Sequence, residues 1–285
     1  MAFTRSLKCL TFDVTGTLVS FKGRLGDHYL QSAKRCGLRF KNENVAQLES
    51  GFDKAYDETH LEYPCFGAVH DVSAKDWWRR CIIRSFEIAR EDAGADPDVP
   101  ALDADQQERV FQHIYALFGS HATYGVFADV IPFLTWARRR KIVTGIISNA
   151  DERYGDAILP MLDLSDHLDF TVFARDVGAM KPDQRIFDVT LQKANVAREV
   201  LYGADTAPIE FMDVLHVGNS FSKDFVGARD AGMRAVLLDR FGRDEPDEES
   251  SEGKEWRAAG AAVVHDLSDV LEHVARSDFA LGCSA

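Results

Sequence analysis

Long hydrophobic runs, paired cysteines, internal repeats and an excess of positive charge are all missing from this 285-residue chain. No stretch approaches the ~20 uninterrupted apolar residues of a membrane span, so no membrane partner is expected. Lys and Arg number 33 against 46 Asp and Glu, a formal charge of −13, which argues against broad nucleic-acid or anionic-surface binding. The five cysteines (Cys9, Cys36, Cys65, Cys81, Cys283) are odd in number and contain no CxxC pair. That excludes a disulfide scaffold or zinc knuckle and fits a reduced compartment, cytoplasmic or nuclear. The nine histidines lack metal-ligand spacing. What remains is an ordinary globular composition, 46% apolar, at a length suited to one large domain or two modest ones.

The chain changes character twice. Residues 7–12 (LKCLTF) form a short β-like run stopped by Asp13 and the turn residues Thr15-Gly16-Thr17. From about 26 to 120 the apolar spacing is helical, with segments near 26–36, 43–60, 73–91 and 103–119. Asp27, Ser73 and Asp103 stand at plausible helix starts, and Gly37 and Gly119 at plausible ends. After Tyr124-Gly125 strands alternate with helices: strands at 142–147, 170–173, 214–217, 235–238 and 262–265, helices near 129–140, 152–162, 183–195, 222–231 and 266–276. Such alternation means βαβ units and a parallel sheet. The expected fold is therefore an α/β, Rossmann-like parallel core (1–20 and 125–285) with an all-helical cap (21–124) inserted after strand one. Residues 243–257 carry seven acids and three bases and read as a solvated surface loop.

In a parallel sheet, ligands bind beyond the carboxyl ends of the strands. Four polar clusters fall at such ends: Asp13-Val14-Thr15-Gly16-Thr17, Ser148-Asn149, Lys181-Pro182-Asp183 and Gly218-Asn219-Ser220 with Asp224. Three have a plain structural alternative. Asp13 can cap a turn, Ser148 can cap the next helix, and an isolated lysine is usually a solvated surface residue. Their order and separation, as DVTGTL, ISNADER, KPDQRIF and HVGNSFSKDFVGARDAGM, resemble the four motifs of the haloacid dehalogenase (HAD) superfamily. The resemblance covers roughly 7–20 and 125–275.

That resemblance implies a function and a role for each residue. Asp13 matches the nucleophile that forms an acyl-phosphate. Thr15, Gly16 and Thr17 belong to the loop that meets phosphate oxygens, and Ser148 and Asn149 position the transferring group. Lys181 matches the cation that neutralises nucleophile and phosphoryl. Asp224, Asn219, Asp13 and the Thr15 carbonyl match the magnesium-binding end. The implied activity is a Mg-dependent phosphatase or phosphotransferase acting on a small phosphorylated compound. Oligomeric state is left open.

Two positions depart from the pattern. The acid/base Asp two residues after the nucleophile is here Thr15, and the Asp after the fourth-motif glycine is Asn219. Thr15 cannot titrate near neutrality, and general acid–base catalysis is worth ~10²–10⁴ in rate. P-type ATPases of the same superfamily carry Thr at that place in DKTGT and still form a phosphoaspartate. Slow phosphatase chemistry is therefore the leading expectation, and a catalytically silent binding or regulatory protein the alternative. A 2-haloacid dehalogenase ranks third, because Thr15 supplies no aromatic wall. Lys22 and Arg24 read as a solvated linker more readily than as an anion contact. Of Trp77 and Trp78 at least one should be cap core. His216 reads as a strand residue, and Tyr124-Gly125 as the return hinge.

Overall fold

A computed structural model describes residues 7–38, 45–92, 94, 102–242 and 251–276. Most of the 94–103 connector, residues 243–250 of the acidic segment and Cys283 lie outside them. The first part of the chain runs β1 (Cys9–Phe12), β2 (Val19–Phe21), α1 (Leu25–Arg35), α2 (Val45–Glu62), α3 (Ala74–Asp92), α4 (Ala104–Leu117) and β3 (Tyr124–Val126). The alternating part follows with α5 (Val130–Arg139), β4 (Val143–Ser148), α6 (Leu159–Met161), β5 (Phe170–Phe173), α7 (Ala174–Val177) and α8 (Gln184–Tyr202). It ends with β6 (Val214–Gly218), α9 (Gly227–Asp230), β7 (Arg234–Leu238), α10 (Ser251–Ala258), β8 (Val263–Val264) and α11 (Leu267–Arg276).

The chain forms two compact units, one of residues 1–20, 126–150 and 162–285, the other of 21–125 and 151–161. The first holds a six-stranded sheet in the order β5-β4-β1-β6-β7-β8, every pairing parallel. All four residues of β1 and all six of β4 are buried, as expected of strands covered on both faces. Phe12 meets Phe133 of α5 edge to face at 5.9 Å. Because β1 lies between β4 and β6, with Phe12 opposite both Ile146 and Val217, residues following these strands emerge side by side. That register brings distant motifs to one edge.

The second unit is helical. Its core gathers Tyr29, Leu48, Phe86, Val110, Phe111 and Ile114, with Tyr29 stacked on Phe86 at 5.5 Å. Asp103 caps α4 in a reciprocal box, accepting from Gln106 N (2.8 Å) while its own N–H reaches Gln106 Oε1 (3.1 Å). Ser73 accepts from Asp76 N at 3.0 Å ahead of α3. Asp27 is not a cap: α1 begins at Leu25, and the acid lies in its first turn.

Three features differ from the sequence-based expectation. Residues 151–161 belong to the helical unit, because Trp78 Nε1 donates to Asp151 Oδ2 (2.5 Å), Arg153 reaches the Tyr115 carbonyl, and the Tyr124 and Tyr154 rings meet at 6.4 Å. β2 and β3 form a separate two-stranded sheet, three residues each and too short to show alternation. Residues 251–257 of the acidic segment lie in helix α10 rather than a loop, anchored by buried Trp256, which stacks on Phe221 at 5.7 Å.

Candidate active site

Lys181 stands at the centre of the polar edge. Its ammonium donates to Asp13 Oδ1 (2.7 Å), Asp224 Oδ1 (2.6 Å) and the Ile147 carbonyl (2.7 Å), so all three hydrogens are used. The lysine and Asp224 side chains are each 2% exposed, whereas Asp13 is 14% exposed. Of the two carboxylates, only Asp13 offers solvent an open face.

The backbone that aims Lys181 is held by Asn149. Its Oδ1 accepts from Lys181 N (2.7 Å) and its Nδ2 donates to Lys181 O (3.0 Å). Asn149 therefore spends its amide on the lysine peptide rather than offering it to a phosphate. Ser148, at the end of β4, is buried and has no side-chain hydrogen bond among the described residues. Its hydroxyl is the group left to donate.

Asp224 sits in a π-helical turn, Phe221–Val226, following the Ser220 cap. Its Oδ2 accepts from Ser220 N at 2.9 Å, and His216 Nε2 lies 3.2 Å from its Oδ1. A Cβ on Gly218 would fall 2.3 Å from Asp224 Cγ, so only glycine lets the carboxylate come this close to the strand end. His216 was read from sequence as a strand residue, and it is one, fully buried on β6. Its second nitrogen, Nδ1, pairs with Thr11 Oγ1 at 3.0 Å. A carboxylate only accepts, so Nε2 carries the hydrogen and Nδ1 takes one from Thr11. No sequence signal ties His216 to Asp224, because only the turn geometry turns this carboxylate back toward β6.

The loop after β1 is a tight turn closed on itself. The N–H groups of Thr17, Leu18 and Val19 converge on the Val14 carbonyl (3.2, 2.9 and 3.0 Å), and Gly16 N reaches Val19 O at 2.7 Å. The Gly16 and Thr17 N–H groups thus hold the loop's shape rather than pointing outward to an anion. Gly16 has φ +85°, which a side chain would strain, and a Cβ there would meet Asn219 Nδ2 at 2.6 Å. Asn219 therefore lies over the loop, and Thr17 Oγ1 reaches its Oδ1 at 3.5 Å.

Charge follows burial. Burial lifts the Asp13 carboxyl above its ordinary value, against the pull of Lys181 and helped by the Asp224 charge. Burial also opposes ionisation of Asp224, but Lys181 and His216 outweigh it and hold that carboxyl well below the usual range. Burial works against the ammonium of Lys181, and the two carboxylates overcome it, raising its value. Burial depresses His216, which stays neutral near pH 7. The ionised partner of Lys181 is Asp224, and Asp13 is the more readily protonated of the two acids.

The donors gathered here are oxygen: the carboxylates of Asp13 and Asp224 and, over the loop, the Asn219 amide. That chemistry fits magnesium, a hard cation. No group of three or more His, Cys, Asp or Glu able to hold a metal occurs among the described residues, so the set rests on two carboxylates. Lys22 and Arg24 are exposed and committed elsewhere, to the His121 carbonyl (3.0 Å) and to Glu49. Trp77 is fully buried in the helical unit. No helix among the described residues is long and apolar enough to cross a membrane.

Known proteins agree with this architecture. The chain is 29% identical over 238 residues to mouse (Mus musculus) haloacid dehalogenase-like hydrolase domain-containing protein 3, covering 84% of each chain. The 2-haloacid dehalogenase of Pseudomonas syringae pv. Tomato DC3000 shares the fold with a TM-score of 0.57 at 24% identity, covering 95% of this chain and 99% of that one. A HAD-hydrolase of Bacillus subtilis, YfnB, solved bound to magnesium, does so with a TM-score of 0.59 at 10% identity, over 95% and 99% of the two chains. A haloacid dehalogenase-like hydrolase family model matches residues 7–232, and the chain belongs to that family.

Proposed function

We propose that this chain is a slow phosphatase or phosphotransferase that takes a phosphoryl group onto Asp13 from a small phosphorylated compound. One observation carries the reading: Lys181 bridges two carboxylates, at 2.7 and 2.6 Å, of which only Asp13 has an accessible face. A buried ammonium beside the attacking oxygen neutralises charge where it develops, in a site that water screens poorly. Asp224, sealed and ionised, fixes the ammonium. Ser148 supplies a hydroxyl to the transferring oxygens.

In the first step Asp13 attacks phosphorus and the bond to the leaving oxygen breaks. No titratable group stands at position 15 to protonate that oxygen, so substrates with good leaving groups react best. In the second step water must attack the acyl-phosphate, releasing inorganic phosphate and regenerating Asp13. Thr15 cannot act as its base, so the phosphoenzyme builds up. Magnesium, where bound, supplies charge neutralisation for the transferring group, and Asp13, the Thr15 carbonyl, Asn219 and Asp224 are the groups that would hold it.

A catalytically silent binding fold is the second reading, favoured by the two-carboxylate donor set. The two are separated by turnover of an aryl phosphate with magnesium, in wild type beside Asp13→Asn. The proposal requires an initial burst and a slow steady rate, both lost in the variant. Equal rates in the two proteins would favour the silent fold.

A further inference from the structure

We infer that Arg240 is a positioning residue for the nucleophile loop, acting through the Thr17 carbonyl. The inference rests on Asp13 being the nucleophile of that loop. Arg240 follows β7, two strands away from β1 in the sheet, and reaches back across the end of β6. Its Nε donates to Thr17 O at 2.8 Å, and its Nη1 donates to Asp129 Oδ2 at 3.0 Å. The guanidinium lies 3.9 Å from the centre of the Phe127 ring. Phe127 holds the neighbouring carbonyl, its N–H donating to Leu18 O at 3.2 Å.

The loop's hydrogen bonds therefore divide in two. Its amides turn inward, onto Val14 O and Val19 O, and define the shape that presents Asp13. Its outward carbonyls at 17 and 18 are caught by one stack, Arg240 on Phe127. Asp129 sets that stack's orientation and also accepts from Leu267 N at 2.8 Å, at the start of α11. Thr17 is the joint: its carbonyl is held by Arg240, and its hydroxyl reaches Asn219.

Stability alone is a poor account of this cluster. Arg240 is 6% exposed and Asp129 18%, yet among the described residues Arg240 Nη2 and Asp129 Oδ1 have no hydrogen-bond partner. A buried ion pair with polar atoms left over is rarely worth more than an apolar pair of the same volume. What an apolar pair could not supply is a rigid, planar donor aimed at one carbonyl while stacked on a ring.

Two variants test this. The double variant Arg240→Met/Asp129→Asn removes both charges together, so neither is left buried and unpaired. Arg240→Lys keeps a donor without the fork. Amide hydrogen exchange at residues 16–19 is measured in the folded proteins, beside aryl-phosphate kinetics. In the double variant the loop amides should exchange roughly five- to tenfold faster, the scale of one lost hydrogen bond. Because hydrolysis limits the steady rate, the burst is the readout: its rate should fall by up to ~10²-fold, the cost of misplacing a reacting group, and the lysine variant should lie between. Wild-type loop exchange or a wild-type burst rate in a folded variant overturns the inference, as does exchange that rises only in step with global unfolding. Should the double variant not fold, the lysine variant decides by the same criteria. If wild type shows no Asp13-dependent turnover, the phosphatase reading falls, and loop exchange alone decides the role of Arg240.

Discussion

Two buried cations organise the α/β unit in opposite ways. Lys181 uses every hydrogen it has, on two carboxylates and a carbonyl, and leaves nothing unpaired. Arg240 meets one carboxylate, one carbonyl and a ring face, and among the described residues leaves a donor over. On the proposed reading, the difference separates a charge placed for chemistry from a donor placed for geometry. Lys181 sets the protonation of the acids beside it. Arg240 touches no acid of the site and can act on it only through backbone.

The largest contrast should come from neutralising the first cation. Lys181→Met leaves Asp13 and Asp224 facing each other in a nearly dry site. Breaking such a pair by removing one partner costs about 3–5 kcal/mol, relieved in part as Asp13 takes up a proton. Chemical denaturation should show that loss, with Asp13-dependent turnover abolished. Stability close to wild type would mean the triad is not coupled as described.

Next is a gain. Thr15→Asp should raise steady turnover by ~10²–10⁴ where loss of acid/base catalysis is the limiting defect. It should also shrink the burst, because the acyl-phosphate would no longer wait for water. Unchanged turnover with magnesium present would place the defect elsewhere, Asn219 being the other departure. Gly218→Ala has a smaller effect on stability, about 1–3 kcal/mol from overpacking, but it pushes directly on Asp224. Turnover should fall with it, and an unperturbed rate would show that Asp224 tolerates displacement.

The smallest effects are in pH. His216 is depressed in the folded protein, so its contribution to stability is complete above the unfolded value near 6.5. It is lost as pH falls below that value, by at most about 1.4 kcal/mol per pH unit. His216→Gln should flatten this part of the profile. Asp224 has the usual carboxylate sign, contributing above its unfolded value and losing that contribution only in strong acid. Asp13 runs the other way, its raised value favouring the protonated fold as pH drops. Because attack needs the carboxylate, the acid limb of the burst rate should lie above the ordinary range for aspartate. A limb at or below it would contradict the assigned charge state.

Much of the α/β unit was legible in the chain because its signals are local. Buried strands read as continuous apolar runs, and turn chemistry after β1 and β6 marks where ligands gather. Asp13 is marked by that turn and Lys181 by its match to a family motif, and the two stand 2.7 Å apart in the structure. The rest depends on contacts between residues far apart. Asn149 hydrogen-bonds a peptide 32 residues away, and Arg240 a carbonyl 223 away, with no periodicity to announce either. Helix α10 was hidden by composition, since seven acids outweigh the signal of a single anchoring tryptophan. Residues 151–161 look like one more crossover helix, and only their side-chain partners place them with the helical unit.

The most direct test of the central claim is mass spectrometry of the protein quenched in acid after brief exposure to an aryl phosphate and magnesium. One phosphoryl group is expected on the peptide containing Asp13, accumulating to a large fraction of the protein and absent from Asp13→Asn. An unmodified wild-type protein, or a phosphoryl group on any other residue, would contradict it.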